Sequence, residues 1–522
     1  MNFAGGISRR IHANAALLTL CGILFLTFLD TTIMSVALSD LQATLHTTLS
    51  EIQWIVNAYA LMFAALMLAF GTLGDRYGRK RVMLFGVVVF IAGSLLGALA
   101  PNTPTLIAAR AIMGVGAAAC EPGTLSILRH LFPDRHSRDR ALGVWAAVAG
   151  LALALGPVIG GLLVGIGGWR AIFWFNLAAG VLALVAALSS APESSDPETG
   201  RFDWGGFVLG PLALGTLVFA IILGETAGYG APHVIALFAI GVVCGGLFAY
   251  VEHRTKAPMF KIDYLRRPAF SGSLAIAFAA YFGVFSIFFL TALYLQVVLG
   301  YTAYDTASLF LPMALVMILA SAFAGRWVAR SGPRLPVVIG CLAAGAGVIS
   351  TDIALAGDVS FLPLVTALML AGAGFGIAVV PITSVALSSL PARHSGMAAS
   401  ATTTAREVGT VVGVAALGSL FNTQLITFLT NRLTELEVPP EFQDLVIDSV
   451  ITGQIPSGTE GAADLEATYG PIVAKVVGAA YDAVHSGVSI SLMVAGGVIL
   501  ISAVAAWLTF TPRRTSEDTA AE

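Results

Sequence analysis

The stretch LMFAALMLAFGTLGDRYGRKRVMLFGVVVFIAGSLLGALA, residues 61–100, contains two apolar runs joined by a short basic turn. The runs belong to predicted helices at 52–74 and 82–100, each long enough to cross a bilayer, which takes roughly 20 residues. The turn between them holds four basic residues: Arg76, Arg79, Lys80 and Arg81. Since a helix satisfies all its backbone polar groups internally in lipid, the stretch predicts a membrane-spanning helical hairpin.

The composition extends this prediction to the whole chain. Of the 522 residues, 57% are apolar and 11% charged, with a mean hydropathy of +0.87, whereas soluble domains carry roughly a quarter charged residues. The first apolar stretch is longer than the core of a signal peptide and ends at Asp30 and Thr31 instead of a cleavage site. We therefore expect an all-α integral membrane protein that keeps this segment.

Fourteen such runs divide the chain into three groups. A bundle of six helices at 14–190 has spans at 14–38, 52–74, 82–100, 104–128, 141–164 and 170–190. Two additional helices at 204–223 and 233–252 follow a polar link, 191–203, which cannot lie in lipid. A second six-helix bundle at 269–508 has spans at 269–297, 305–328, 335–356, 361–389, 397–421 and 483–508, with a long extracytoplasmic segment at about 422–482.

The basic residues predict the orientation. A cytoplasmic N-terminus places 22 of the 27 lysine and arginine residues on the cytoplasmic side. Of the others, Arg170, Arg432 and Lys475 face outward, and Arg110 and Arg406 lie within spans. This asymmetry follows the positive-inside rule, and an even number of spans puts both termini in the cytoplasm. The predicted location is the cytoplasmic membrane.

Several classes of function are disfavoured by what the sequence lacks. The four cysteines lie in separate apolar segments, and the eight histidines lie at helix ends or in loops, which predicts no metal site. The formal charge of −3 gives no reason to expect a nucleic-acid partner. No phosphate-binding GxxxxGK[ST] loop occurs, so ATP hydrolysis is not expected. We expect no cofactor and no catalytic residue.

The two bundles show a faint internal repeat. Gly71, Arg76 and Gly78 correspond to Gly325, Arg330 and Gly332 at an offset of 254 residues. Parallel repeats of this kind are typical of transporters whose two halves move about a site near the middle of the membrane.

The basic turn, GTLGDRYGRKR at 71–81, resembles the loop between helices 2 and 3 of the major facilitator superfamily. The resemblance implies that Asp75 contacts the opposite half and stabilises one state of the transport cycle. Gly71, Arg76, Gly78 and Arg79 are the matching gating positions. The alternative is that the basic residues only set the topology and that Asp75 only neutralises them.

The segment FLDTTIMSVALSDL around Asp30 is similar to the first-helix signature LDxTIVNVALP of the fourteen-helix drug:proton antiporters of that superfamily, the EmrB/QacA type. Met34, Ser35 and Ser39 depart from it. A carboxylate at this depth costs about 2.5–3.5 kcal/mol on insertion scales, so it needs a partner, a proton or water. We expect Asp30 to bind protons or substrate; the alternative is an inert structural acid paired with a neighbouring helix.

The fourth span contains LIAARAIMGVGAAACEPG, which matches the family pattern RxxQGxG at Arg110 except that Met113 replaces Gln. Arg110 and Asp30 lie at similar depth, so we expect a proton-dependent salt bridge between them. Glu121 follows on nearly the same face, about 16 Å deeper. It is a candidate for proton or substrate binding; the alternative is a structural pair with the basic loop.

The fifth span contains GLALALGPVIGG, which resembles the antiporter motif GPxxGG of exporters. Its helix-packing positions are Gly150, Gly156, Pro157, Gly160 and Gly161, and the resemblance favours efflux. The segment WRAIFWFN at 169–176 resembles the family pattern WRWIFxxN. Together with segments around the eighth to tenth spans, the resemblance covers nearly the whole chain.

The thirteenth span holds Arg406 and Glu407 near the bilayer middle. Neighbours on a helix point about 100° apart, so Glu407 is expected to face the cavity while Arg406 pairs elsewhere. We predict that Glu407 binds protons or substrate, with Arg406 beside it. The segment at 422–482 carries nine acidic residues against Arg432 and Lys475, which predicts a solvated flap.

These features predict a proton-coupled efflux transporter that exports amphipathic drugs or toxic small molecules by alternating access. Its expected partners are the substrate, protons and membrane lipids, and we expect it to work as a monomer. The alternative is an exporter of an endogenous lipid, peptide or secondary metabolite. A polytopic membrane enzyme or receptor is less favoured, since neither catalytic loop residues nor a sizeable soluble domain is visible.

Overall fold

The computed structural model describes residues 3–132, 135–193, 203–255, 258–356, 360–391, 395–451 and 471–510. Within these ranges thirteen helices are long and apolar enough to span a membrane. A fourteenth span is bent by 42° between Ala147–Leu153 and Leu155–Gly167. The described chain thus has the predicted number of spans, and the protein is a multi-pass membrane protein.

The first bundle contains α1 to α7. Their bounds are α1 Phe3–Ile33, α2 Leu38–Leu45, α3 Leu49–Tyr77, α4 Arg79–Ala98, α5 Thr103–Leu131, α6 Arg135–Gly167 and α7 Arg170–Ser190. The predicted first span, 14–38, agrees within two residues with the membrane-length segment Ala13–Val36. A 3-10 turn at Met34–Val36 ends α1, and α2 is a separate short helix.

Two helices, α8 at Trp204–Ala227 and α9 at Pro232–Arg254, follow the first bundle. They pack against each other, and α8 contacts both bundles. Val218 and Ile222 of α8 form a buried apolar cluster with Ala60 of α3 and with Val411 and Ala415 of the second bundle. The inserted pair therefore lies beside the junction of the two halves.

The second bundle contains α10 to α17, with a 3-10 turn at Ile262–Arg266 before it. Their bounds are α10 Pro268–Phe285, α11 Thr291–Val297, α12 Ala303–Ser331, α13 Arg334–Leu355, α14 Phe361–Ser388, α15 Ser395–Glu435, α16 Pro440–Ile451 and α17 Pro471–Thr509. A π turn at Ser286–Leu290 joins α10 to α11, so these form one span.

The ends of α3 and α12 confirm the internal repeat at its offset of 254 residues. Each helix ends at a glycine with positive φ, 109° at Gly78 and 78° at Gly332. Each also begins with a capping box, Thr48 with Glu51 and Thr302 with Asp305. The offset is the same for all these positions, so the two halves share the start and the end of this helix.

The segment at 422–482 differs from the predicted solvated flap. Residues 422–435 continue α15, and 471–482 form the first turns of α17. Leu429 and Leu433 are fully buried, because α15 packs along α17. A solvated flap is therefore wrong for these parts, whereas 452–470 lie outside the described residues.

Candidate functional site

The Asp30 cluster comprises Asp30, Arg110, Asn176 and Tyr59 on α1, α5, α7 and α3. A guanidinium N–H of Arg110 donates to Asp30 Oδ2. Asn176 Nδ2 donates to Asp30 Oδ1 at 2.6 Å. Asp30 and Asn176 are fully buried, and Arg110 is 1% exposed. The contact expected between Asp30 and Arg110 is therefore present, and each carboxylate oxygen has a donor.

The rest of the Arg110 guanidinium is held inside the same bundle. Its Nε donates to the carbonyl of Ile55 at 3.1 Å. Its Cζ lies 4.6 Å from the ring centroid of Tyr59, whose hydroxyl donates to the carbonyl of Thr27 at 2.8 Å. The Asp30 cluster is thus a compensated ion pair with all these partners in the first half.

The Glu407 cluster comprises Glu121, Thr403, Arg406 and Glu407, with Glu121 on α5 and the others on α15. The Thr403 hydroxyl donates to Glu121 Oε1 at 3.0 Å. All four residues are at most 3% exposed. Because α5 and α15 belong to different bundles, this hydrogen bond joins the two halves at the buried centre. Glu121 therefore bonds across the junction. The alternative prediction was a structural pair of Glu121 with the basic loop, and this bond is a different contact.

Arg406 is held by neutral groups. Its guanidinium donates to the Thr383 hydroxyl, and its Cζ lies 5.3 Å from the ring centroid of Tyr281. Among the described residues no carboxylate lies within ion-pair distance of it. Arg406 is thus directed to α14 and α10, as expected for a residue that points away from Glu407.

Several polar atoms of this region have no hydrogen-bond partner among the described residues. They include both carboxylate oxygens of Glu407, Glu121 Oε2, Arg406 Nε, the Tyr281 hydroxyl and both amide atoms of Asn57 on α3. Buried polar groups are costly unless they are hydrogen-bonded. The Glu407 cluster and its surroundings thus hold several donors and acceptors that the described part of the chain leaves without a hydrogen bond.

Contacts between the halves lie on both sides of the Glu407 cluster. Towards the basic turn, a Cβ at Gly71 would lie 3.3 Å from Ser400 Oγ of α15. Towards the opposite end, Gln296 Nε2 of α11 donates to the carbonyl of Val36 at 3.4 Å. The two halves therefore contact each other on both sides of the central acids.

The bend of α6 has a clear chemical origin. Pro157 has no N–H, so the carbonyl of Leu153, four residues earlier, loses its helical donor. The Thr32 hydroxyl of α1 donates to this carbonyl at 2.9 Å. The segment of α6 that resembles the exporter motif is thereby bonded to α1 at Thr32, two residues after Asp30.

The glycines of α6 permit close approach of two neighbours. A Cβ at Gly160 would meet Ile33 and Val36 next to α1, and one at Gly156 would clash with Thr32. A Cβ at Gly161 would meet the backbone of Ala303 on α12. Gly150 faces the same helix, since its Cβ position lies 3.6 Å from Ser321 Oγ. This stripe therefore packs α6 against both its own half and the other.

The basic turn is held by a residue of the polar link. Glu193 Oε1 accepts from the backbone N–H of Lys80 at 3.1 Å, and its Oε2 lies 3.6 Å from Arg81 Nε. Gly78, with φ of 109°, leaves room for this carboxylate, because a Cβ there would lie 2.9 Å from Oε1. Arg76 lies in the last turn of α3 and Arg79 begins α4. The Asp75 side chain lies outside the described residues, so its gating role stays a prediction.

Sequence reasoning missed four residues of these sites: Thr32, Asn176, Glu193 and Thr403. A signal existed for two of them. Asn176 ends the segment WRAIFWFN, and Thr32 lies two residues after Asp30. Thr403 is one of three consecutive threonines, and Glu193 is one of several acids in the link, so nothing in the sequence singled them out.

Comparison with known proteins agrees with this architecture. Residues 20–414 match the family model of the Major Facilitator Superfamily. The chain is 32% identical to the multidrug resistance protein Stp of Mycobacterium tuberculosis, covering 93% of this chain and 90% of that protein. It is 30% identical to the multidrug efflux pump LfrA of Mycolicibacterium smegmatis, covering 92% and 93%.

Two further similarities cover a large part of the chain. The methylenomycin A resistance protein of Streptomyces coelicolor is 33% identical, over 75% of this chain and 82% of that protein. A solved structure of a bacterial homologue of the human lysosomal transporter Spinster superposes with a TM-score of 0.61 at 17% identity, covering 94% and 96%. At that identity the likeness concerns the fold alone. Two six-span halves with two additional spans beside them, buried charges at the junction of the halves, and the family match over most of the chain identify it as a member of the Major Facilitator Superfamily.

Proposed function

We propose that this chain is an efflux transporter that couples proton entry to the export of amphipathic small molecules. The observation that carries the proposal is the Glu407 cluster, in which two acids and one arginine lie buried at the junction of the halves. Intramembrane charges are rare and mark ion or substrate pathways. Their position where the halves meet suits a carrier that exposes one site alternately to each side.

In this proposal the Asp30 cluster and the Glu407 cluster have different roles. Asp30 holds its charge through Arg110 and Asn176, and protonation of Asp30 weakens both contacts. Glu121 and Glu407 face the junction, where a bound cation or a proton offsets their charge. Inward movement of each proton contributes about 2.3 kcal/mol per 100 mV of membrane potential. Substrate leaves when protonation removes the negative charge that holds it.

The cytoplasmic orientation of both termini belongs to the same proposal. It makes the basic turn cytoplasmic, where Asp75 would stabilise the state closed on that side. The Glu121–Thr403 contact has to break when the halves separate, because its two residues lie in different halves. We also propose that a single chain suffices for transport, since the central acids and their surroundings come from one polypeptide.

The substrates we propose are amphipathic, and cationic or neutral. Relatives named for multidrug resistance and efflux support a broad range of drugs. The relative named for methylenomycin A resistance favours natural antibiotics as a second group of substrates. Secondary metabolites are therefore the alternative cargo. A screen for compounds that raise the thermal stability of the purified protein would show which of these two groups of substrates it binds.

The test is efflux of a cationic dye from proteoliposomes driven by an imposed pH gradient. Wild type is compared with Asp30→Asn and with Asp444→Asn, whose exposed carboxylate lies on α16 outside both clusters. We expect gradient-driven efflux to disappear in Asp30→Asn and to persist in the control. Undiminished gradient-driven efflux by Asp30→Asn would refute the coupling.

A further inference from the structure

A groove lies between α15 and α17 at the end of the bundle opposite the basic turn. It has a volume of about 460 Å³ and is lined by Gln424 and Phe428 of α15 and by Asp482, His485, Ser489 and Met493 of α17, among others. The α17 residues recur every three to four positions, so they share one face of the helix. This groove is separate from the two central clusters, whose residues lie elsewhere on α1, α3, α5, α7 and α15.

The groove runs from the level of the lipid headgroups into the hydrocarbon. Counting from Thr509 at 1.5 Å per residue, Asp482 lies about 40 Å along α17 and Ser489 about 30 Å. Met493 lies nearer still, about 24 Å along the helix. With Thr509, where the candidate span ends, placed at the cytoplasmic edge of a hydrocarbon core about 30 Å thick, Asp482 lies at the headgroup level and Met493 in the apolar region.

The two ends of the groove differ in chemistry accordingly. At the outer end, Gln424 Nε2 donates to Ser486 Oγ at 3.1 Å, and the Asp482 carboxylate is exposed. At the inner end, Ile490 and Met493 provide an apolar wall, whereas Phe428 lies near the level of Asp482 because α15 and α17 run antiparallel. The groove thus suits a molecule with a polar head and an apolar tail.

The polar end is acidic and incompletely bonded. Among the described residues no lysine, arginine or histidine lies within ion-pair distance of Asp482. His485 packs its ring edge-on against Tyr294, with centroids 5.6 Å apart, and its buried Nε2 lacks a hydrogen-bond partner within the described chain. A ligand with a positive charge and hydrogen-bonding groups would satisfy both residues.

We propose that the α15–α17 groove binds an amphipathic molecule that carries a protonated amine, with the ammonium at Asp482 and the apolar part along Ile490 and Met493. Two sources have this chemistry: a transported compound that leaves the protein, and a membrane lipid with an amine headgroup such as phosphatidylethanolamine. The site lies apart from the central acids, so it does not depend on the coupling mechanism.

The test is binding to the full-length protein in nanodiscs made of phosphatidylcholine, without a gradient. The probe is a dansyl-labelled long-chain primary amine, compared with the dansyl-labelled alcohol of the same length. We expect Asp482→Asn to weaken binding of the amine about tenfold and to leave the alcohol unchanged, since only the amine has a charge-assisted contact to lose. Asp444→Asn, the exposed acid on α16, is the matched control and should bind like wild type.

Two additions locate the site. In Ser486→Cys, bound amine should slow maleimide labelling of the new thiol, whereas the native cysteines are buried. The Asp482→Asn effect should persist in a Glu407→Gln background, which separates this groove from the central cluster. Equal amine binding by wild type and Asp482→Asn, when both unfold at the same temperature, overturns the proposal, as does unprotected labelling at Ser486→Cys.

Competition then distinguishes the two sources. Displacement of the probe by phosphatidylethanolamine added to the nanodiscs assigns the groove to lipid. Displacement by an exported cationic dye, with no effect of phosphatidylethanolamine, assigns it to transported compounds. Either result supports the amine site. If neither compound displaces the probe, the proposal is contradicted.

Discussion

The Asp30 cluster and the Glu407 cluster are both buried charged sites, yet their bonding is opposite. Both oxygens of Asp30 accept from donors of the same half, Arg110 and Asn176. Both oxygens of Glu407 are unpaired among the described residues, and the nearby Glu121 bonds across the junction. A compensated site stabilises one half as a unit, whereas an uncompensated site between halves is free to respond to ligands.

The largest expected effect on stability comes from Arg110→Ala. It leaves Asp30 buried without its cation, which costs about 3–5 kcal/mol of unfolding free energy. Thermal unfolding in detergent measures it, and adding Asp30→Asn to the variant should recover most of the loss. In the other cluster, Arg406→Ala should cost less, because Arg406 has only a hydroxyl and an aromatic ring as its observed partners. Equal losses in the two arginine variants would erase the contrast between the clusters.

A smaller loss is expected from Asn176→Leu. It removes the donor to Asp30 Oδ1, and hydrogen bonds to charged groups contribute about 1.5–3 kcal/mol. Ser94→Ala is a control from the same half, since the buried Ser94 hydroxyl bonds to Phe90 in its own helix. The same thermal unfolding assay applies. A loss no larger than that of Ser94→Ala would mean that Asn176 does not stabilise the Asp30 charge.

Thr403→Val tests the bond between the halves. The acceptor is a carboxylate oxygen, as at Asp30, and hydrogen bonds to charged groups contribute about 1.5–3 kcal/mol. Loss of this bond should change the efflux rate several-fold, because it joins the two halves. Thr402→Val is the matched control, since the buried Thr402 hydroxyl bonds to Ala398 within α15. Dye efflux from proteoliposomes is measured for both. Identical rates for the two variants would argue against a role of this contact in the cycle.

Glu407→Gln should have the smallest effect on stability. Its carboxylate has no observed donor to lose, so we expect unchanged or slightly higher thermal stability, together with at least about tenfold slower efflux of a cationic dye. Glu407→Gln should thus affect transport and hardly affect stability, whereas the main effect of Arg110→Ala should be a loss of stability. If Glu407→Gln unfolds as readily as Arg110→Ala, Glu407 has a structural partner and the comparison fails.

Much of the architecture could be predicted from the sequence because lipid imposes simple rules. Length and apolar composition fix the spans, as residues 61–100 illustrate, and the resemblance of short motifs indicates the family. The contact of Asp30 with Arg110 was also predictable, since two opposite charges at one depth have few other partners. The end of the first span was predicted within two residues, but its change to a 3-10 turn at Met34–Val36 was not, because the turn leaves the apolar composition unchanged.

Only the tertiary structure decided which helix faces are in contact with each other. Helical periodicity places Glu121 on a face of α5, but it does not indicate that Thr403, 282 residues later in the chain, bonds to it. Likewise, Pro157 signals a free carbonyl in α6, whereas only the packing of α1 shows that Thr32 donates to it. The sequence by itself thus determined the spans, the repeat and the buried charges. Packing between helices distant in the chain decided which charges are compensated, because each partner comes from a different helix whose rotation and depth are set by close contacts of the whole bundle.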